Sequence, residues 1–137
     1  MTDANEWFLT NHDHLRDLGI ELDDQERGFV RLTLPHEESL TNPGSEAIQG
    51  GVVSTLIDHA GGAAIRTTLE DPLETPHAST ELNVSYVRPA ADDLTAEATV
   101  IRSGTTMGVV EVEVTMSTDE GEKTVAVGRV SLHLDRQ

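Results

Sequence analysis

The sequence predicts an α+β fold in which one antiparallel sheet curls around a single central helix. Three observations carry this expectation. Gly51–Leu69 is apolar around most of a helical circumference, four strand-like runs follow it in succession, and one run alternates apolar and polar residues without interruption. A helix that is apolar nearly all round must be buried on most sides. Long antiparallel strands with one apolar face are what the chain offers to cover it.

The elements can be justified in order. With 137 residues the chain is expected to form one domain over 1–137. Residues 2–18 read as a short amphipathic helix, with Trp7, Phe8, Leu15 and Leu18 sharing a face and Gly19 ending it. Ile20–Asp23 and Phe29–Leu34 read as a hairpin around Asp24-Gln25-Glu26-Arg27-Gly28, with Val30, Leu32 and Leu34 alternating until Pro35. A polar stretch from His36 to Gln49 carries the turn signal Asn42-Pro43-Gly44.

In the central helix, Val52, Val53, Leu56, Ile57, Ala60, Ala63, Ala64 and Ile65 spread over most of the surface. The expected strands are Ala78–Arg88, Asp93–Ile101, Met107–Met116 and Lys123–Leu134, with turns at Ser103-Gly104 and Asp119-Glu120-Gly121. In the third, Val110, Val112, Val114 and Met116 fall on one face and Glu111, Glu113 and Thr115 on the other.

Composition narrows the function classes. Hydrophobic residues make up 36% of the chain and aromatics only 3%, a stock suited to a β-branched sheet against a small-residue helix. There is no cysteine, which excludes disulfides, zinc thiolates and cysteine nucleophiles. No apolar run reaches bilayer length, and the N-terminus lacks the charge and apolar core of a signal peptide. A soluble, cytoplasmic protein is the expectation.

The formal net charge is −16, from 25 acidic against 9 basic residues, and Lys123 is the only lysine. Such a field repels nucleic acid and anionic membranes, so neither is an expected partner. Acidic residues spread along the whole chain point to concentrated cytoplasmic salt, where self-repulsion is screened. An acidic face for a basic partner would instead gather them in one place.

Asp58 is the only charged residue in Gly51–Ile65. A buried carboxylate costs several kcal/mol unless it is paired or sits in a cleft. Gly61 and Gly62 stand three and four residues after it, and Ser54 and Thr55 four and three before it. Mid-helix glycines cost about 1 kcal/mol each against alanine, so a close approach is expected there. Together these residues describe a pocket with a carboxylate above a glycine floor.

Gln49-Gly50-Gly51 stands where a loop becomes a helix, and free N–H groups at such a start can bind an anion. A developing oxyanion on the Gly50 amide, with Asp58 activating water or attacking directly, is the chemistry these residues allow. His12-Asp13-His14 is not expected to hold a metal, because residues two apart do not share a helix face. His59 projects about 100° from Asp58 around the helix and is not its expected partner.

At these residues the chain resembles the hotdog-fold thioesterase superfamily, in particular its phenylacetate-degradation branch and the mammalian acyl-CoA thioesterases. The family pattern is an asparagine, a His-Gly-Gly, an apolar helix with an acidic residue, and a strand ending in aromatic-x-x-Pro-Ala or Gly. The corresponding stretches are Asn42-Pro43-Gly44, Gln49-Gly50-Gly51, Asp58 and the strand from Ser79 to Tyr86-Val87-Arg88-Pro89-Ala90. The resemblance covers about residues 20–134.

It implies a hotdog fold and hydrolysis of an acyl-CoA to a carboxylic acid and CoA, with no cofactor. Asp58 takes the place of the family's base or nucleophile, and Gly50 that of the glycine whose amide polarises the thioester carbonyl. Ser79 falls where a residue orients the attacking water, and Asn42 where the family carries its asparagine. Gly51, Gly61 and Gly62 are expected along the substrate's path.

Three departures stand out. Gln49 replaces the usual histidine, Asn42 lies seven residues before it, one more than usual, and Thr105 follows Gly104 where relatives carry a cation near the nucleotide. Arg88 and Arg102 are then the expected phosphate partners.

Gly50 and Asp58 are eight residues apart on one predicted helix, or about 12 Å by helical rise. Both can serve one thioester carbon only if they come from different subunits. A homodimer with shared sites is therefore expected, and by the resemblance a homotetramer built from two such dimers. The alternative is a non-catalytic hotdog protein that binds acyl-CoA or another small ligand, favoured by Gln49. A hotdog dehydratase would need a His-Asp dyad, for which the sequence has no counterpart.

Overall fold

A computed structural model describes residues 3–136. The expected helix start at Thr2 lies outside this range. Helix α1 (Ala4–Asn11) is capped by Asp3, whose carboxylate accepts from the Asn5 and Glu6 amides at 3.0 and 3.1 Å. The single N-terminal helix expected from the sequence is in fact two. The backbone turns extended at His12 (φ −106°, ψ 107°), and α2 (Asp13–Leu18) begins a new course that Gly19 closes at φ 89°. The break rotates the apolar face, so Leu9 and Leu15 are buried and Trp7 is exposed.

The first hairpin is tighter than expected. Strands β1 (Glu21–Glu26) and β2 (Phe29–Leu34) are joined by Arg27-Gly28 alone, and Asp24, Gln25 and Glu26 belong to the strand. Gly28, at φ 83°, supplies the left-handed turn residue, and its amide donates to Thr67 Oγ1 at 2.8 Å, tying the turn to the end of the central helix. That helix, α3, runs Gly50–Arg66. Strands β3 (His77–Tyr86), β4 (Leu94–Ser103), β5 (Met107–Thr118) and β6 (Gly121–Leu134) follow.

All six strands form one antiparallel sheet in the order β1-β2-β4-β5-β6-β3. Register shifts at Leu22/Asp24, Ser79/Glu81, Val100/Arg102 and Val114/Thr115 add local twist and help the sheet curl over α3. On β5, Val110, Val112, Val114 and Met116 are buried and Glu111 and Glu113 exposed, as the alternation requires. Helix and sheet meet almost without clearance. A Cβ on Gly61 would lie 2.7 Å from Val130 Cγ2, and one on Gly108 would lie 2.5 Å from Ile65 Cδ1.

Among the described residues, strand β3 lies at the edge of the sheet and pairs with no strand but β6. It is exposed along nearly its whole length, including Leu82, and so are Tyr86 and Val87 at its end. An exposed edge strand with free backbone groups is a template for another strand.

Candidate active site

Asp58 lies half-buried midway along α3, on the side facing β3. The register shift between Ser79 and Glu81 breaks the β3 ladder beside it, and such bulges re-aim side chains. Ser79 Oγ donates to Asp58 Oδ1 at 2.6 Å, a length typical of a hydroxyl on a carboxylate. The pair borders a cavity of about 720 Å³ whose apolar walls include Phe8, Leu15, Leu73, Leu82 and Leu132. Thr55, one turn before Asp58, lines it too.

A second cluster gathers at the start of the same helix. Gln49 adopts the extended cap conformation (φ −60°, ψ 138°), and its carbonyl accepts from the Val52 and Val53 amides. The Gly50 and Gly51 amides belong to the first turn, where no intrahelical acceptor exists. The Tyr86 hydroxyl donates to the Gly50 carbonyl at 2.9 Å, so Ser54 Oγ, which also contacts it, acts as donor to the tyrosine. Both glycines are hemmed in. A Cβ on Gly50 would lie 3.3 Å from the Tyr86 ring, and one on Gly51 would lie 2.8 Å from Gln49 Oε1. Tyr86, quoted in the sequence only as part of a strand-end pattern, thus holds the helix start.

The other expected site residues divide. Gly62 lines the cavity with Asp58, whereas Gly61 packs against Val130 of β6. The expected two-glycine floor is therefore one glycine, because a step of 100° around the helix turns Gly61 into the sheet. Asn42 stays in its own turn, its amide donating to the Ala47 carbonyl and its carbonyl accepting from the Ser45 amide. It borders a separate depression with His36 and Pro43, away from Asp58.

Arg88 and Arg102 are exposed and lie toward opposite ends of the sheet. Arg88 Nη1 donates to the Thr124 carbonyl at 2.7 Å, and Arg102 is in register with Val109, itself opposite Ser131. Neither lines the cavity at Asp58.

The cavity is also bordered by a polar group that periodicity conceals. Arg66, in the last turn of α3, is buried with its guanidinium 3.9 Å from the centre of the Phe8 ring. Burial brings its pKa down to about 10, so it carries its charge at neutral pH. His59 is pushed down to about 3 by burial first and then by the charges of Arg66 and His12, and it is neutral. His77 is lowered by its burial as well. His12 and His14, set aside as a metal pair, both border the cavity with ring centres 6.3 Å apart.

The chain is similar to known proteins over most of its length. The profile of the thioesterase superfamily matches residues 47–130, which span both Gly50 and Asp58. A Halobacterium salinarum protein, provisionally named an esterase, is 44% identical over 134 residues, covering 94% of this chain and 89% of its own length. The medium/long-chain acyl-CoA thioesterase YigI of Salmonella typhimurium is 28% identical over 123 residues, covering 80% and 79%.

Among solved structures, the PaaI protein from the phenylacetic acid degradation operon of Escherichia coli superposes with a TM-score of 0.79 at 25% identity. The match covers 93% of this chain and 88% of that one. The curled six-stranded sheet around one long helix is the hotdog fold, and the chain belongs to the thioesterase superfamily.

Proposed function

We propose that the protein hydrolyses acyl-CoA thioesters at sites shared between two subunits. The observation that carries this reading is the Asp58–Ser79 pair at the mouth of a partly apolar cavity. Its complement, the Gly50 amide, stands on the same helix eight residues away, about 12 Å by rise. A thioester carbon at Asp58 of one subunit meets the Gly50 amide of another across a two-fold axis. The exposed edge strand β3 supports such pairing, and two dimers would make the tetramer.

In one route Asp58 takes a proton from water as the water oxygen bonds to the thioester carbon. The oxyanion rests on the Gly50 N–H, the C–S bond breaks, and the thiolate leaves to become CoA thiol. In the other route Asp58 itself attacks, forming a mixed anhydride that water then cleaves. Ser79 orients the carboxylate in both. Arg88 and Arg102 are the proposed contacts for the nucleotide phosphates.

A cytoplasm rich in salt is the proposed setting. Every acidic residue described is outside the core, and no described helix is long and apolar enough to cross a membrane. Gln49, where the family pattern has histidine, supports a second reading as a non-catalytic acyl-CoA binder. Incubation with a panel of acyl-CoA esters and a thiol reagent in molar salt separates the two. Release of free CoA supports the hydrolase, and binding without release supports the binder.

A further inference from the structure

The cavity holds a charge that thioester hydrolysis does not use. Arg66, 6% exposed, is the only charged residue buried among those described. Its partners are all neutral. Nε donates to Asn5 Oδ1 at 2.8 Å, Nη1 lies 3.2 Å from His77 Nε2, and the cation faces the Phe8 ring. His77 Nδ1 is bonded to the Thr75 carbonyl at 2.8 Å, which places the imidazole proton there and leaves Nε2 as the acceptor for Arg66. Nη2 is buried with no partner among the described residues.

This is an odd place to lack a counter-ion. The chain has 25 acidic residues, yet none described forms an ion pair with Arg66. Asp3 acts on it only through space, its carboxylate being engaged at the cap of α1 and with Gln25. A buried cation without an anion is costly, and a ligand that brings the anion removes that cost.

The position of the charge indicates which ligand. Asp58, Gly62 and Arg66 follow one another at intervals of four along α3 and share a face. The Arg66 side chain folds back over Gly62, where a Cβ would lie 3.3 Å from Nη1. The guanidinium therefore sits about one helical turn, roughly 6 Å along the axis, from the Asp58 carboxylate's residue. An acyl chain whose reacting carbon is at Asp58 and which runs inward between Leu15, Leu82 and Leu132 ends at Arg66.

We propose, on the basis of the thioesterase reading above, that the cavity selects acyl groups ending in a carboxylate, with Arg66 as the specificity residue that receives that carboxylate. Thioesters of short dicarboxylic acids, such as glutaryl- and adipoyl-CoA, have this chemistry. Methylenes cover the leucine wall and the terminal carboxylate pairs with the guanidinium where Arg66 borders the cavity. Because the pair is buried, concentrated salt screens it far less than it screens a surface pair.

The test compares adipoyl-CoA with hexanoyl-CoA, which has the same chain length and a methyl end, on the wild-type protein in molar potassium chloride. A kcat/KM at least about tenfold higher for adipoyl-CoA is expected. Arg66→Gln should reverse or abolish the preference while hexanoyl-CoA turnover persists. Should that variant fail to fold, the wild-type ratio decides alone. Equal or better hydrolysis of hexanoyl-CoA overturns this assignment and leaves the thioesterase reading intact. No hydrolysis of either ester defeats that reading and this one with it. Binding of free glutarate without discrimination between the thioesters would put the anion outside the substrate path and also overturns the assignment.

Discussion

Ser79 Oγ and Asp58 Oδ1 meet at 2.6 Å although 21 residues separate them, because a bulge in the edge strand interrupts the ladder beside the central helix. The hydroxyl engages one carboxylate oxygen, and the other accepts no hydrogen bond among the described residues.

Replacing Asp58 with Asn keeps an oxygen for Ser79 to donate to and removes the proposed base or nucleophile. Turnover should fall at least about 10²-fold, the low end for a positioned acid or base. Circular dichroism and oligomeric state should stay as in the wild type. Near-normal hydrolysis by this variant would remove Asp58 from the mechanism. Ser79→Ala should lower kcat by less, because it removes orientation and keeps the carboxylate.

The shared site can be tested by mixing two inactive chains. Gly50 is the first residue of α3, a position where proline's missing N–H and fixed φ are tolerated. Gly50→Pro therefore deletes the proposed oxyanion donor with little harm to the helix, apart from a tight contact with Tyr86. In a mixed dimer with Asp58→Asn, one site takes both defects and the other takes neither. Co-refolding equal amounts should restore roughly a quarter of wild-type activity if chains pair at random. Mixed dimers with activity no higher than the parents' would require a site built within one chain.

His59 couples stability to acid pH. Burial holds its pKa at about 3 in the folded chain, against about 6.5 when exposed. The unfolded chain therefore takes up this proton first as the pH falls. The contribution is complete above about pH 6.5 and is lost progressively toward pH 3, at roughly 1.4 kcal/mol per unit. The lowered His77 acts in the same direction. Urea midpoints should show a steeper acid loss for wild type than for His59→Gln. Parallel curves for the two would contradict the buried neutral state.

Net charge −16 with few ion pairs among the described residues should make the fold salt-dependent. Among the described residues the cations that pair, Arg16, Arg31 and Arg129, do so at partly or largely exposed sites. Molar salt shortens the Debye length to about 3 Å and screens the remaining repulsion. The melting temperature should rise clearly between low-salt buffer and molar potassium chloride. An unchanged value would turn attention back to a basic partner for the acidic surface.

Local pattern in the sequence was enough to identify the core elements. The alternation of Val110, Val112 and Val114 marks a strand with one buried face, and the all-round apolar surface of Val53–Ile65 marks the buried helix. Asp58 announced itself as the one charge among those residues, and both signals depend on neighbours along the chain. Long-range pairing decided the rest. That β3 lies at the edge beside β6, that its bulge brings Ser79 to Asp58, and that Gly61 faces Val130 while Gly62 faces the cavity all depend on which elements pack together. Arg66 is the clearest case. At the end of an apolar helix a lone arginine reads as a solvent-exposed terminus, and only Asn5, Phe8 and His77 arriving from distant segments bury it. A side chain's burial is a property of what surrounds it in space, and for Arg66 those surroundings are not its neighbours in sequence.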